Sequence, residues 1–187
     1  MGNPEEPKPV KYFAALLSAH KELLFSVRDD LRVLLGAVDS SSLILPWTIT
    51  KYYEKEMGVG LLRCFVSFFP LASPEKLSQI KLRTQEMEEK YGWIHEKTKG
   101  RRINIDPGYV DAGKVVLAST KSASHRLYLG SGIYGEATLF YQDDSFHSFS
   151  YTYADYLWPE TLSFFTGLRS LYLDQLRRRG SGVTGAV

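Results

Sequence analysis

Cysteine and histidine are scarce in this chain. Its 187 residues include one cysteine, Cys64, and four histidines, and no two of them stand at the spacing of zinc ligands. Cys64 lies in an alternating apolar run, which predicts a buried, inert thiol on a strand rather than a nucleophile. The scarcity excludes structural zinc. An ion held by oxygen ligands stays open, but the sequence assigns no metal ligand.

Long hydrophobic runs are also missing. The longest, residues 61–69, is interrupted by Arg63 and Ser67 and falls far short of the roughly 20 residues that span a bilayer. Residues 1–9 are polar and rich in proline, without an apolar core behind a basic start, so they resemble neither a secretory signal nor a transit peptide. We therefore expect a cytoplasmic protein that makes no membrane contact.

Neither sign of charge dominates. The formal net charge is +2, with a basic stretch over residues 97–126 and an acidic one over residues 143–160. This small excess disfavours nucleic acid as a partner, and the aromatic signature of an RNA-recognition sheet is missing. The composition, 44% hydrophobic and 24% charged, is that of an ordinary globular protein. We predict a single domain over residues 11–179, between a flexible segment, residues 1–10, and a flexible tail, residues 180–187.

The first half of the chain predicts a strand, a helix, two strands and a second helix. The strands are expected at residues 11–17, 43–49 and 61–69, with the last two paired. Ser18 is expected to cap the first helix, and Gly36 to follow its end. Ser73 is expected to cap the second helix, which would run up to Gly92.

The second half predicts short strands and a terminal helix. The strands are expected at residues 103–105, 115–119, 126–129 and 133–141, broken by proline and glycine. Pro159 is expected to open a helix that ends in Arg177, Arg178 and Arg179, where positive charge suits the helix dipole. The order predicts an α+β fold: a ferredoxin-like βαββαβ core with a β-hairpin extension, a C-terminal helix and a mostly antiparallel sheet.

Four stretches of the sequence are distinctive in combination. They are TKYYEKEMG at residues 50–58, NIDPGY at 104–109, LASTK at 117–121 and HRLYLGSGIYGEATL at 125–139. Through them the chain resembles a bacterial family, domain of unknown function 4416, from Lys11 to about residue 176. The family has no established activity, although some members carry the label GTP-binding protein. Ala154 stands where the family pattern TYPDY has proline, which concerns only the stiffness of that loop.

The GTP label can be tested on residues 108–114. Their sequence, GYVDAGK, matches the first seven positions of a phosphate-binding P-loop. The eighth position fails, because Val115 stands where a hydroxyl should hold magnesium, and Pro107 removes a backbone donor just before the loop. We therefore interpret the stretch as a glycine-bearing turn.

His125 and Arg126 are the first candidate site residues. They combine an imidazole that exchanges protons near neutral pH with a guanidinium that binds carboxylate or phosphate. If residues 126–129 and 133–141 form a hairpin, Tyr134 and Glu136 share a face with Arg126. We predict His125 and Glu136 as catalytic candidates and Arg126 and Tyr134 as ligand-binding candidates. A structural ion pair between Arg126 and Glu136 is the open alternative.

Asp106 is the third catalytic candidate, because it can present a carboxylate from a fixed turn. The alternative is ordinary Asp-Pro-Gly turn chemistry. Lysines and tyrosines nearby add donors for an anion and rings for stacking, although both types are also common on protein surfaces. The remaining ligand-binding candidates are Asn104, Tyr109, Lys114, Lys121, Tyr52 and Tyr53.

These residues predict a basic, tyrosine-lined pocket for an anionic small molecule, either a nucleotide or a phosphorylated metabolite. One alternative is a metal-assisted or acid–base enzyme that acts on such a substrate, with His125 and either Asp106 or Glu136 as proton carriers. The third alternative is an RNA-binding module. The sequence identifies no cofactor and no oligomeric state, and it does not decide whether the protein is an enzyme.

Overall fold

The structure is a computed structural model that describes residues 2–95 and 98–180. It confirms an α+β fold with a mostly antiparallel sheet and a C-terminal helix. The strands are β1 (Lys11–Ser18), β2 (Ala37–Ser41), β3 (Leu45–Pro46), β4 (Leu62–Phe69), β5 (Trp93–His95), β6 (Thr98–Gly100), β7 (Ile103–Val110), β8 (Lys114–Ser119), β9 (Leu127–Gly130), β10 (Ile133–Gln142) and β11 (Ser145–Ser148). The helices are α1 (Lys21–Leu35), α2 (Glu54–Met57), α3 (Leu77–Lys90) and α4 (Pro159–Gly180), with 3₁₀ turns at Pro74–Lys76 and Ala154–Leu157.

The main sheet has the strand order β11-β10-β8-β7-β1-β4-β2, with β3 added to β4 and β9 added to β10. Its neighbouring strands in the described part of the chain pair in antiparallel fashion. All eight residues of β1 are buried, because β1 lies at the centre with β4 and β7 on its two sides. β5 and β6 form a separate two-stranded sheet.

Helices cover both faces of the sheet. On one face, α1 buries Leu24, Val27 and Leu31 at helical spacing, and α3 packs beside it. On the opposite face, α4 places Phe165 and Leu168 in a cluster with the inward side chains of the central strands. Phe165 meets the Phe13 ring edge-on, with 5.0 Å between ring centroids. The sheet is therefore the middle layer of three.

Two predictions in the first half of the chain are wrong in detail. Ser18 does not cap α1: it ends β1, and its hydroxyl accepts from the His20 N–H and donates to the Arg102 carbonyl oxygen. The strand predicted over residues 43–49 is reduced to the two residues of β3, because β2 occupies most of the β4 edge. By contrast, the Ser73 side chain accepts from the Glu75 N–H and so caps the 3₁₀ turn Pro74–Lys76, which leads directly into α3.

β7 does not break at Pro107 and Gly108, where the sequence predicted a turn. It continues to Val110 and pairs with β1 along its whole length. Pro107 is tolerated because it lies in the same row as Ile105, whose backbone groups point away from β1. Gly108 is needed because a Cβ there would lie 2.3 Å from the Val116 carbonyl oxygen. Both residues therefore serve a strand interior.

The ends of the chain were predicted to be flexible. Val10, assigned to the N-terminal flexible segment, is buried and forms an antiparallel bridge with Ala72. The predicted tail lies outside the described residues except for Gly180, which ends α4. Among the helices of the described part, none is both long and apolar enough to cross a membrane.

Candidate functional site

A gap between β7 and β8 creates the site. The two strands pair only from Gly108 opposite Leu117 to Val110 opposite Val115, and before Gly108 the first half of β7 follows β1 alone. Two side chains of α3 replace the missing strand there. Lys81 Nζ donates to the Ile105 carbonyl oxygen at 2.9 Å, and the Ile105 N–H donates to Glu88 Oε1 at 2.6 Å. The gap is thereby held open with its backbone groups satisfied.

A cavity of about 330 Å³ opens at this gap. It lies on the face of the sheet against which α4 packs. This volume lies at the lower end of the roughly 300–1,000 Å³ of ligand pockets. The aromatic residues of its wall are Trp47, Tyr52, Tyr53, Tyr153 and Tyr156. The basic residues are Arg63, Lys81, Arg101, Lys121 and Arg126. The acidic residues are Glu88, Asp106, Glu136 and Asp155.

Arg63 and Asp155 form a buried ion pair in the wall. Arg63 Nε lies 2.7 Å from Asp155 Oδ2, and the two side chains are 8% and 3% exposed. Burial has the largest single effect and lowers the pKa of Arg63, but Asp155 and the other acidic groups nearby, Tyr156, Asp106 and Tyr53, together raise the pKa by more, so the guanidinium is charged. Within the described residues, Arg63 Nη1 and the Tyr156 hydroxyl have no hydrogen-bond partner. Such orphaned buried donors are rare in proteins.

Arg126, by contrast, donates hydrogen bonds from all three of its nitrogens. Its Nε donates to Glu136 Oε2 at 2.6 Å, Nη1 donates to Ser119 Oγ and the Lys121 carbonyl oxygen, and Nη2 donates to the Tyr153 hydroxyl. The ion pair that the sequence left as the alternative for Arg126 and Glu136 is thus present. The predicted anion-binding guanidinium is therefore less available than that of Arg63, which the sequence analysis did not select.

His125 stands beside this pair. Its Nε2 lies 3.1 Å from Glu136 Oε2, and its ring stacks on Tyr151 with 4.0 Å between centroids. Glu136 Oε2 thus meets both His125 and Arg126, whereas Oε1 has no hydrogen-bond partner among the described residues. The two predicted catalytic candidates are adjacent, and Glu136 lines the cavity.

Asp106 and Asn104 belong to a chain of hydrogen bonds along the cavity. Asp106 accepts from Lys81 Nζ at 3.1 Å and from Asn104 Nδ2, while Asn104 Oδ1 accepts from Arg101 at 2.7 Å. Arg101 is held in turn by both oxygens of Glu56. Burial has the largest single effect and raises the pKa of Asp106, but the charges of Lys81 and Arg63 and the hydrogen bonds from Lys81 and Asn104 together lower the pKa by more, so the net shift is downward. Asp106 is ionised at neutral pH and suits charge balance better than proton transfer.

Glu88 was not predicted as a site residue, yet its carboxyl group has the properties of an acid–base group. Burial raises its pKa from 4.5 to about 7, and Lys81 opposes that shift only in part. A carboxyl group that titrates near neutral pH inside a cavity is typical of catalytic sites. Glu88 also lies 3.8 Å from Arg101, so it joins the same charged network.

Some predicted residues lie elsewhere. Lys114 pairs with Asp111 at 2.6 Å at the β7–β8 turn. Lys114 and Tyr109 line a different groove on the surface, apart from the cavity. Tyr134 packs against Tyr128, with 5.4 Å between ring centroids. Residues 108–114 form a hairpin rather than a loop that leads into a helix, which fits the interpretation as a turn and not a P-loop. Tyr52, Tyr53 and Lys121 line the cavity.

Signals for the missed residues were present in the sequence. Arg63 interrupts an otherwise apolar strand, and a charged residue at such a position is rarely left inside without a purpose. Lys81 and Glu88 are about two helical turns apart, which places them on one side of α3. Within residues 2–95 and 98–180, no three histidine, cysteine, aspartate or glutamate side chains are grouped so as to hold a metal ion.

Comparison with known proteins identifies a family. Neither a curated protein nor a solved structure matches the chain significantly. A family model described as a domain of unknown function (DUF4416) matches residues 8–172, which include β1, the Arg63 strand, α3, β7 and the cavity residues of the 153–156 segment. The chain belongs to the DUF4416 family.

Proposed function

We propose that the cavity binds an anionic small molecule. The observation that carries this proposal is the Arg63 guanidinium, which is buried in the cavity wall and whose Nη1 has no hydrogen-bond partner within the described residues. A guanidinium offers five N–H donors in a fork that matches carboxylate and phosphate oxygens. Asp155 balances the charge of Arg63 but does not accept from all of its N–H groups. An anion in the cavity would supply the missing acceptors.

The walls support a small organic anion rather than a polymer. A cavity of about 330 Å³ accepts a metabolite, and Trp47, Tyr53 and Tyr153 offer rings against which a planar or sugar-like group can pack. The tyrosine hydroxyls add further donors. A phosphorylated metabolite or a nucleotide has this combination of an anionic and a packing group.

Glu88 favours a second candidate function, acid–base catalysis in the same cavity. Its pKa of about 7 would let it exchange a proton with a bound substrate. His125, the other proton carrier of this proposal, lies behind the cavity wall and is connected to the cavity through Glu136, 3.1 Å from its Nε2. The binding proposal and the enzyme proposal use one site and differ in whether the ligand is converted.

The strand order also supports a proposal on topology. Within β1, α1, β2, β4, α3 and β7, the sheet order β7-β1-β4-β2 supports a ferredoxin-like βαββαβ core. In this arrangement β8 to β11 extend one edge, and the cavity lies at the junction between core and extension.

A thermal-shift screen followed by titration calorimetry tests the binding proposal. We expect at least one phosphorylated metabolite or nucleotide to raise the melting temperature, since a ligand that binds only the native state stabilises it. The double variant Arg63→Met/Asp155→Leu removes the guanidinium without leaving an unpaired charge. We expect it to bind at least about 30-fold more weakly, because loss of a buried charge partner costs about 2 kcal/mol or more.

Arg83→Met is the matched control, because Arg83 is an exposed arginine on α3. It should bind like the wild type, and circular dichroism should show that all variants are folded. Binding of equal strength by the double variant, or no shift with any compound of the panel, would contradict the proposal. Incubation of the bound compound with the protein, followed by mass spectrometry, then decides between a binder and an enzyme.

A further inference from the structure

The cavity wall carries orphaned acceptors as well as orphaned donors. On the donor side, Arg63 Nη1 and Trp47 Nε1 have no hydrogen-bond partner in the described part of the chain. On the acceptor side, the same holds for Glu136 Oε1. All three residues line one cavity, and Tyr156, whose hydroxyl can donate or accept, lines it too. A buried polar group without a hydrogen-bond partner destabilises a protein, so we expect each of these atoms to have a partner that is not part of the described chain.

The contacts that hold Glu136 leave its Oε1 without a hydrogen-bond partner among the described residues. Arg126 and His125 both approach Oε2, at 2.6 Å and 3.1 Å, and the side chain is only 1% exposed. Arg126 is further held by Ser119 and Tyr153, so it cannot turn to Oε1 without losing other bonds. We therefore expect a bound ligand to supply the hydrogen-bond donor for Glu136 Oε1.

A fully deprotonated anion cannot supply that donor. Phosphate and carboxylate oxygens accept hydrogen bonds from Arg63, but near a second carboxylate they are repelled. We propose that the ligand of this site is zwitterionic: an anionic group meets Arg63, and an amino group on the same molecule donates to Glu136 Oε1. This inference rests on the proposed anion binding and adds the second functional group.

The charge balance of the wall agrees with a zwitterion. Five basic and four acidic side chains line the cavity, so its charges nearly cancel. A near-neutral wall favours a ligand whose own charges nearly cancel over a multiply charged anion. The rings of Tyr53 and Tyr153 can also face an ammonium group, which aromatic rings attract. Because the orphaned atoms are covered by neighbouring side chains, a ligand would reach them only after small side-chain rotations in the wall.

Two small probes separate the amino group from the anion. Phosphoethanolamine carries both groups, whereas ethyl phosphate has the same phosphate ester without the amine. Titration calorimetry at about pH 7.5 should show that the wild type binds phosphoethanolamine at least about tenfold more tightly than ethyl phosphate, in line with one charge-assisted hydrogen bond. In Glu136→Gln that preference should fall to near one, while ethyl phosphate is still bound. Glu86→Gln, an exposed change on α3, should keep the wild-type preference.

The outcomes distinguish this inference from the proposed function. Equal affinity of the wild type for both probes overturns the zwitterion and leaves anion binding intact. A preference that persists in Glu136→Gln overturns the assignment of the amino subsite to Glu136. No binding of either probe also overturns the zwitterion, whereas the anion proposal is overturned only if no compound of the thermal-shift panel binds. Circular dichroism and the melting temperature of Glu136→Gln establish that the variant is folded, so that a lost preference reports on the subsite.

Discussion

Removal of one charge from the Arg63–Asp155 pair should cause a large loss of stability. At 2.7 Å, two unit charges attract each other by about 6 kcal/mol at an effective dielectric constant of about 20. Asp155→Asn preserves the shape of the side chain and leaves the Arg63 charge buried and uncompensated. Breaking such a pair lowers the free energy of unfolding by about 3–5 kcal/mol. For a chain of this length, the melting temperature should fall by roughly 6 to 20 °C.

Urea unfolding followed by circular dichroism measures this loss, with Glu86→Gln as the matched control. Arg83 and Glu86 also form an ion pair, at 2.8 Å, but their side chains are 61% and 62% exposed. Removing an exposed partner changes the free energy of unfolding by less than about 1 kcal/mol. The two variants thus differ in burial and hardly at all in the distance between the charges.

The double variant Arg63→Met/Asp155→Leu examines the same reasoning from the opposite side. Replacing both charges by apolar side chains removes the desolvation penalty, so its stability should be close to or above that of the wild type. If Asp155→Asn loses no more stability than Glu86→Gln, the reasoning is refuted, because the pair would then be solvated. A double variant that is stable but does not bind the anion would show that the pair is kept for binding rather than for folding.

Two further predictions concern Glu88 and the β7–β8 hairpin. Because burial raises the pKa of Glu88 from 4.5 to about 7, its contribution to stability is complete below about pH 4.5 and is lost as pH rises through about 7. The loss is up to about 3 kcal/mol, and urea unfolding should show it in the wild type but not in Glu88→Gln; parallel pH profiles would exclude it. Gly108→Ala places a Cβ 2.3 Å from the Val116 carbonyl oxygen and should lower stability by about 1–3 kcal/mol in thermal unfolding. Gly113→Ala, with no neighbour closer than the 3.8 Å to Asp111, should change it by less than about 0.5 kcal/mol, and similar losses in both would contradict the packing around Gly108.

Local patterns were sufficient to predict the elements that carry a strong apolar period. β1, β4 and α1 each bury the residues that their spacing selects. β2 was missed because its sequence, AVDSS, has no apolar alternation. It becomes a strand through the β4 edge, and its Asp39 accepts from the buried Lys11 ammonium. Such a strand depends on tertiary contacts that a local pattern does not contain.

The candidate site was predictable only in part, because its residues come from strands that are not neighbours in the sheet. Asn104, Asp106 and Glu136 line the cavity, whereas Lys114 lies at the far end of the β7–β8 hairpin. A strand advances about 3.3 Å per residue, so the few residues from Asp106 to the turn already separate them by roughly 15 Å. The contribution of Glu88 required knowledge of the β7–β8 gap, because only that opening lets a helix on one face reach a cavity on the other.

The two bonds that hold this gap open go to the backbone of Ile105, not to its side chain. Any residue except proline at position 105 would therefore offer α3 the same N–H and carbonyl oxygen, whereas Lys81 and Glu88 must keep their spacing along the helix. A one-residue insertion between them would rotate one of the two side chains by about 100° around the helix axis, away from the Ile105 backbone. The spacing of Lys81 and Glu88 along α3, more than the side chain at position 105, thus maintains the gap between β7 and β8.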